Sequence, residues 1–273
     1  MNFLKVLVPV IYSVSFIGFI FYLKTLEKTA YRLALGTTLV GFVIHTLYVG
    51  ALSLHLWQGT PLTFNHTLIF FSWTLVLAYL SIIFGMIIKA YSVGAFFLPL
   101  PITFFLLGIF LEPRESPFIP LLRSLWFPVH AISSLLSHAF LLLGFVSSLM
   151  YILQDRALKR KSFGFLFKRL PPLDSLERIS ERCLYQGFFF LSLGIISGAI
   201  WSELSLGDYW RWSAKEVLSL VLWLIYSAMI HQRVLIGWRG RKLAYMFAIC
   251  SSLFILSFFV INLYEKGFHT YAR

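Results

Sequence analysis

Long apolar stretches alternate with short polar connections along the whole chain. Eight stretches, near 3–23, 33–54, 67–88, 92–111, 128–153, 184–202, 216–236 and 243–263, each hold about 20 mostly apolar residues, enough helix to cross roughly 30 Å of hydrocarbon. Charged residues fall toward the ends of these stretches and not in their apolar centres. The pattern predicts an all-α polytopic membrane protein with about eight transmembrane helices, forming one integral-membrane domain over 1–273. The first stretch reads as a retained span, because it is long and lacks a small-residue cleavage site. The longest polar connection, 154–183, contains Pro171-Pro172 and a run of charges, and reads as one solvated loop with a short amphipathic piece.

Composition supports the same class. Hydrophobic residues make up 59% of the chain and charged residues 12%, with mean hydropathy +0.83, too little polar surface to cover a water-facing globule. Disorder, a collagen-like fibre and a disulfide scaffold are excluded by the same figures, since Cys183 and Cys250 are the two cysteines and stand far apart. The net charge of +12 is unevenly placed. With both termini on one side, that side holds Lys5, Arg114, Arg123, Arg211, Lys215, Lys266 and Arg273, and the other 16 of the 23 Lys and Arg lie in the opposite loops. The excess marks those loops, including 154–183, as cytoplasmic and puts both termini outside. Most of the positive charge is thereby topological, and nucleic acid is not an expected partner; the lipid bilayer is.

With no carboxylate or fixed cation at membrane depth, ion-coupled transport is disfavoured. The ionisable groups within the spans are His45, His138 and His231. Each is open to two readings, a packing residue bonded to a carbonyl or a neutral imidazole ligand for iron. For His138 the core reading is preferred. Between the sixth and seventh spans, on the outer side, the segment 201–216 concentrates Tyr209, Trp210 and Trp212 beside Gly207, with Arg211 and Lys215 interleaved. Aromatic residues gather at membrane interfaces in any case, but flat faces with cations between them also suit a large planar anion such as haem. His130 and His269 fall on the same outer side, and two neutral imidazoles are what a six-coordinate haem iron requires.

The segment 201–216 resembles the tryptophan-rich (WWD) domain of the haem-handling cytochrome c assembly superfamily, which includes CcsA/ResC, CcmC and CcmF. Gly207, Tyr209, Trp210, Trp212, Lys215 and Glu216 match its pattern, while Leu206, Ser213 and Ala214 stand where Trp, Asp and Pro are usual. Trp126-Phe-Pro-Val-His130 is similar to the first outer histidine segment of that superfamily and Gly267-Phe-His269 to the second. His231 falls where the CcsA type carries a transmembrane histidine, and Pro61-Leu-Thr63 with Phe70-Phe-Ser-Trp73 resembles the early CcsA region. The chain is short, as HemX-like members are.

The resemblance implies a protein that binds haem b at the outer face and delivers it for covalent attachment to apocytochrome c. In that reading His130 and His269 are axial ligands and Trp210 and Trp212 line the macrocycle. Tyr209, Arg211 and Lys215 meet its edge or propionates, and His231 serves a second, intramembrane site whose other ligand comes from His45 or a CcsB-type partner subunit. The attachment target is a Cys-x-x-Cys-His segment, which this chain itself lacks. The resemblance then implies a cytochrome c synthase subunit in a bacterial inner (plasma) membrane with its active face extracytoplasmic, a thylakoid membrane being the second choice. Two other readings stand beside it: a HemX-like regulator of haem synthesis that binds haem without attaching it, and a carrier for another hydrophobic anion.

Overall fold

A computed structural model describes residues 2–57, 63–85, 90–111 and 124–264, with side chains from Phe3 through Leu253. The described chain is helical: α1 (Asn2–Thr25), α2 (Lys28–Trp57), α3 (Phe64–Gly85), α4 (Val93–Phe97), α5 (Pro99–Phe110), α6 (Trp126–Lys159), α7 (Leu173–Leu206), α8 (Ala214–Leu235) and α9 (Arg241–Tyr264). Each predicted apolar stretch lies within one of these helices, or within the α4–α5 pair, to within a few residues at its ends. Seven helical segments among the described residues, including α4 and α5 taken together as Val93–Phe110, are long and apolar enough to span a bilayer. With α9 occupying the eighth predicted stretch, the protein is an all-α polytopic membrane protein. The fourth stretch is broken at Leu98–Pro99, where Pro99 starts α5 at a position that needs no amide hydrogen.

The segment 154–183 is mostly helix, contrary to its reading as a loop. α6 continues to Lys159 and α7 starts at Leu173, leaving 160–172 as the connection. The extensions persist because their charges are paired: Arg241 reaches Asp155 at 2.9 Å, and Arg233 reaches Glu181 at 2.8 Å. Each 34-residue helix is about 50 Å long and so projects beyond the hydrocarbon. Pro171-Pro172 sits just before α7, where proline is compatible with the start of a helix.

The contacts divide the chain into two compact units, Met1–Phe118 with Ala157–Ser175, and Ile119–Arg156 with Leu176–Arg273. In the first, α1 and α2 form a close hairpin: the Ser15 hydroxyl donates to the Ala34 carbonyl at 2.8 Å, and Gly41 lies under the Tyr12 ring. Asn65 on α3 donates to the Leu111 and Gly108 carbonyls at 2.6 and 3.3 Å, satisfying acceptors left open at the end of α5. Arg169 does the same for α1 by donating to the Leu23 and Lys24 carbonyls, which pins the 160–172 connection to that helix end.

In the second unit α6 and α7 run antiparallel. The register is read from Ser137 Oγ donating to the Gly187 carbonyl at 2.9 Å and Ser148 Oγ to Ser180 Oγ at 3.2 Å, with His130 opposite Gly194 and Gly198. Small residues let the two backbones approach closely, the usual device for helix association in lipid. Leu141, Leu184, Leu191, Leu222, Tyr226 and Phe247 build a core from four helices.

Candidate functional site

The end of the second unit that the sequence predicts to face outward is organised around His130, in the first turn or so of α6. Its Nδ1 lies 2.8 Å from the Gly194 carbonyl of α7. A carbonyl can only accept, so Nδ1 carries the proton and the lone pair of the neutral ring stays on Nε2. The imidazole is half-buried and lies parallel to Trp201, with centroids 6.2 Å apart and planes 9° apart. Its other neighbour is Gly198: a Cβ built there would meet His130 Nδ1 at 2.6 Å, so only glycine leaves space for the ring. Gly194, Gly198 and Trp201 thus fix the ring plane and the tautomer from one helix. Such outer partners normally set the orientation of a metal-binding histidine.

α7 continues from this cradle into the aromatic loop. Gly198 and Leu206 are eight residues apart, about 12 Å along the axis. The helix stops at Gly207, where φ is +78° and the amide donates to the Glu203 carbonyl at 2.9 Å, a left-handed glycine stop. α8 then begins with a reciprocal cap. Ser213 Oγ accepts from the Glu216 amide at 3.3 Å, and Glu216 Oε2 accepts from the Ser213 and Arg211 amides at 2.9 and 3.0 Å. This carboxylate clamps the loop on both sides of Trp212, which holds φ of +57°, a conformation disfavoured for a bulky residue.

The loop presents its rings outward: Tyr209 is 63% and Trp212 73% exposed, while Trp210 is half-buried and Arg211 exposed. Trp210 and Trp212 meet edge to face at 6.1 Å and 84°. A planar ligand can therefore lie flat on one of them at a time, not along both. Lys215 is half-buried in the first turn of α8.

Not every predicted site residue joins this group. His269 lies outside the described residues. His231 is 17 residues along α8 from Ala214, about 26 Å from the aromatic loop, and so belongs to the opposite end of the unit. It is exposed, on a face of α8 shared with Val217, Val221 and Leu224. His45 is in the first unit, fully buried between the Tyr12 hydroxyl, 3.3 Å from Nδ1, and the edge of Phe105; among the described residues its Nε2 makes no hydrogen bond of normal geometry. A ring enclosed in this way has no open side for a macrocycle, and it serves as core. His138 gives its Nδ1 proton to the Ser134 carbonyl one turn back, which suits its predicted packing role. Trp201, Gly194 and Gly198 were not legible as site residues, although the Gly-x-x-x-Gly spacing signals a close helix contact.

A half-buried imidazole with Nδ1 committed and Nε2 retained is chemically suited to ligate haem iron, as is the exposed His231. A family described as "Cytochrome C assembly protein" matches residues 62–269. The chain is 25% identical over 264 residues to "Cytochrome c biogenesis protein CcsA" of Guillardia theta, covering 90% of this chain and 87% of that one. It is 27% identical over 297 aligned positions to the protein of the same name from Synechococcus sp. (strain CC9605), covering 95% and 96%. Against its counterpart in Parasynechococcus marenigrum (strain WH8102) identity is 32% over 178 residues, 58% of each chain. The chain therefore belongs to the cytochrome c assembly family, as an integral membrane protein of the CcsA type with a role in cytochrome c biogenesis.

Proposed function

We propose that this protein holds haem b, as substrate, at the outer end of its second unit and presents it for attachment to apocytochrome c. The observation that carries the reading is the Nδ1 proton of His130 bonded to the Gly194 carbonyl, which leaves Nε2 as the ligating atom. Gly198 and Trp201 hold that ring in place before any ligand arrives, so little orientational freedom is lost on binding. His269 would be the second histidine to hold the iron. Trp212 offers the exposed flat face, and Arg211 and Lys215 pair with propionates. The clamp by Glu216 keeps Trp212 turned outward at the cost of an unfavourable φ.

Bound haem supplies two vinyl groups, across which the reduced thiols of a Cys-x-x-Cys-His segment add to form thioethers. The protein's own part is to ligate, orient and shield. Among the described residues no free thiol faces the site, since Cys183 is buried in α7 and Cys250 lies on α9. His231 forms a second site at the inner end of α8, completed by a CcsB-type subunit packing on the face that carries Val221 and Leu224. An imidazole left facing lipid would be costly, which favours a partner there.

The test is co-expression with a CcsB-type subunit and a reporter apocytochrome in a host without its own attachment machinery, read by haem-stained gels. Haem-stained reporter with the wild type, lost in His130→Ala, is the expected result. A haem-loaded protein beside an unmodified reporter would replace attachment with a regulatory, HemX-like role.

A further inference from the structure

The second unit contains a groove of about 550 Å³ between α6 and α9, on the side away from the aromatic loop. Its walls are Leu149, Ile152 and Leu153 from α6 with Ala248, Ile249 and Leu253 from α9. One mouth is closed by Arg156 and Tyr245, whose hydroxyl lies 3.2 and 3.1 Å from the guanidinium Nε and Nη2. Arg156 is exposed and stands three residues past the fifth predicted apolar stretch, at headgroup depth. The nearby carboxylate Asp155 is bonded instead to Arg241 at 2.9 Å. Arg156 therefore keeps N–H donors directed to the surroundings, with no carboxylate bonded to it among the described residues, and Arg239 and Lys242 add positive charge at the same end.

We propose that this groove is a binding site for an anionic phospholipid. One acyl chain lies along the apolar walls and the phosphate is held by Arg156 and the Tyr245 hydroxyl. From residue 149 to 156 on α6 and from 245 to 253 on α9 the walls run about 10–12 Å, matching most of one leaflet's hydrocarbon depth of about 15 Å. A forked guanidinium beside a hydroxyl donor suits phosphate oxygens, and basic crevices between helices at the inner surface are where acidic headgroups concentrate. Cation–π contact with Tyr245, 5.9 Å from the ring centroid, keeps the guanidinium over the groove mouth.

Native mass spectrometry of the detergent-purified full chain tests this with added dioleoylphosphatidylglycerol and dioleoylphosphatidylcholine. The wild type is expected to retain one phosphatidylglycerol in preference to phosphatidylcholine. Arg156→Gln should weaken that binding about fivefold, the contribution of one cation near an acidic headgroup. Ile249→Trp should abolish it by filling the groove, and Arg239→Gln should leave it within twofold. Equal retention of the two lipids by the wild type would overturn the proposal. So would an Arg156→Gln protein that keeps its preference, or an equal loss in Arg239→Gln, which would mean diffuse charge attraction. A melting-temperature check on each variant separates lipid loss from unfolding.

Discussion

Replacing Gly198 by alanine is the sharpest test of how His130 is held. The added Cβ would stand 2.6 Å from His130 Nδ1 and 2.8 Å from Cε1, whereas ordinary contact begins at 3.4 Å. The ring must retreat by about 0.8 Å, because the glycine lies on a helix flanked by packed neighbours and cannot itself move far. Its bond to Gly194, now 2.8 Å, would lengthen to about 3.6 Å, beyond hydrogen-bonding range. Lost bonding of about 1 kcal/mol and overpacking of about 1–3 kcal/mol are offset by the ~1 kcal/mol that alanine gains over glycine inside a helix. Stability should therefore fall by about 1–3 kcal/mol. The ligating nitrogen, however, moves further than the ~0.5 Å a functional site tolerates, and its tautomer is no longer fixed. Haem affinity should drop about 10–100-fold, as for loss of an outer partner of a metal-bound histidine. Haem titration followed in the Soret region, with a parallel thermal melt, reads both quantities. Gly36→Ala, where a Cβ meets nothing within 4 Å, is the control and should bind as the wild type does. Wild-type haem affinity in Gly198→Ala would refute the cradle argument.

Other outcomes follow from the same geometry. Glu216→Gln keeps the side chain's shape but weakens two bonds to amides, so the loop should loosen by about 1 kcal/mol. A red-shifted, more quenchable tryptophan emission would report it. Arg233→Met removes the partner of Glu181 and Glu177 at side-chain exposures of 11–23%, and should lower stability by about 2–3 kcal/mol. Adding Glu181→Met should recover part of that loss in the thermal melt. His45→Leu removes a core imidazole whose Nε2 makes no hydrogen bond of normal geometry among the described residues, and the haem spectrum should be unchanged; a weakened Soret band would return His45 to the ligand set.

Much of the architecture was legible because a bilayer imposes one period and one length on its spans. The eight apolar stretches map onto the helices for that reason. The limits of α6 and α7 were not legible, since their last and first turns are charged, and only the pairing of Asp155 with Arg241 and of Glu181 with Arg233 explains why they stay helical. The aromatic loop and His130 stand out in sequence by residue type. Trp201, Gly194 and Gly198 do not, because their part depends on which face of α7 meets α6. The mutual angle of Trp210 and Trp212 likewise comes from the Glu216 clamp and the left-handed Trp212, neither of which a composition pattern encodes.

The central claim, that His130 Nε2 ligates haem, is tested most directly with His130→Gly purified in detergent after expression with added haem. Absorption spectra would be recorded before and after addition of imidazole, beside His231→Gly under the same conditions. The account predicts that His130→Gly loses part of the low-spin Soret and α/β bands and that imidazole restores them, while His231→Gly keeps the outer-site signal. Bands unchanged in His130→Gly would contradict it, and so would a loss that imidazole does not repair in a protein that still melts like the wild type.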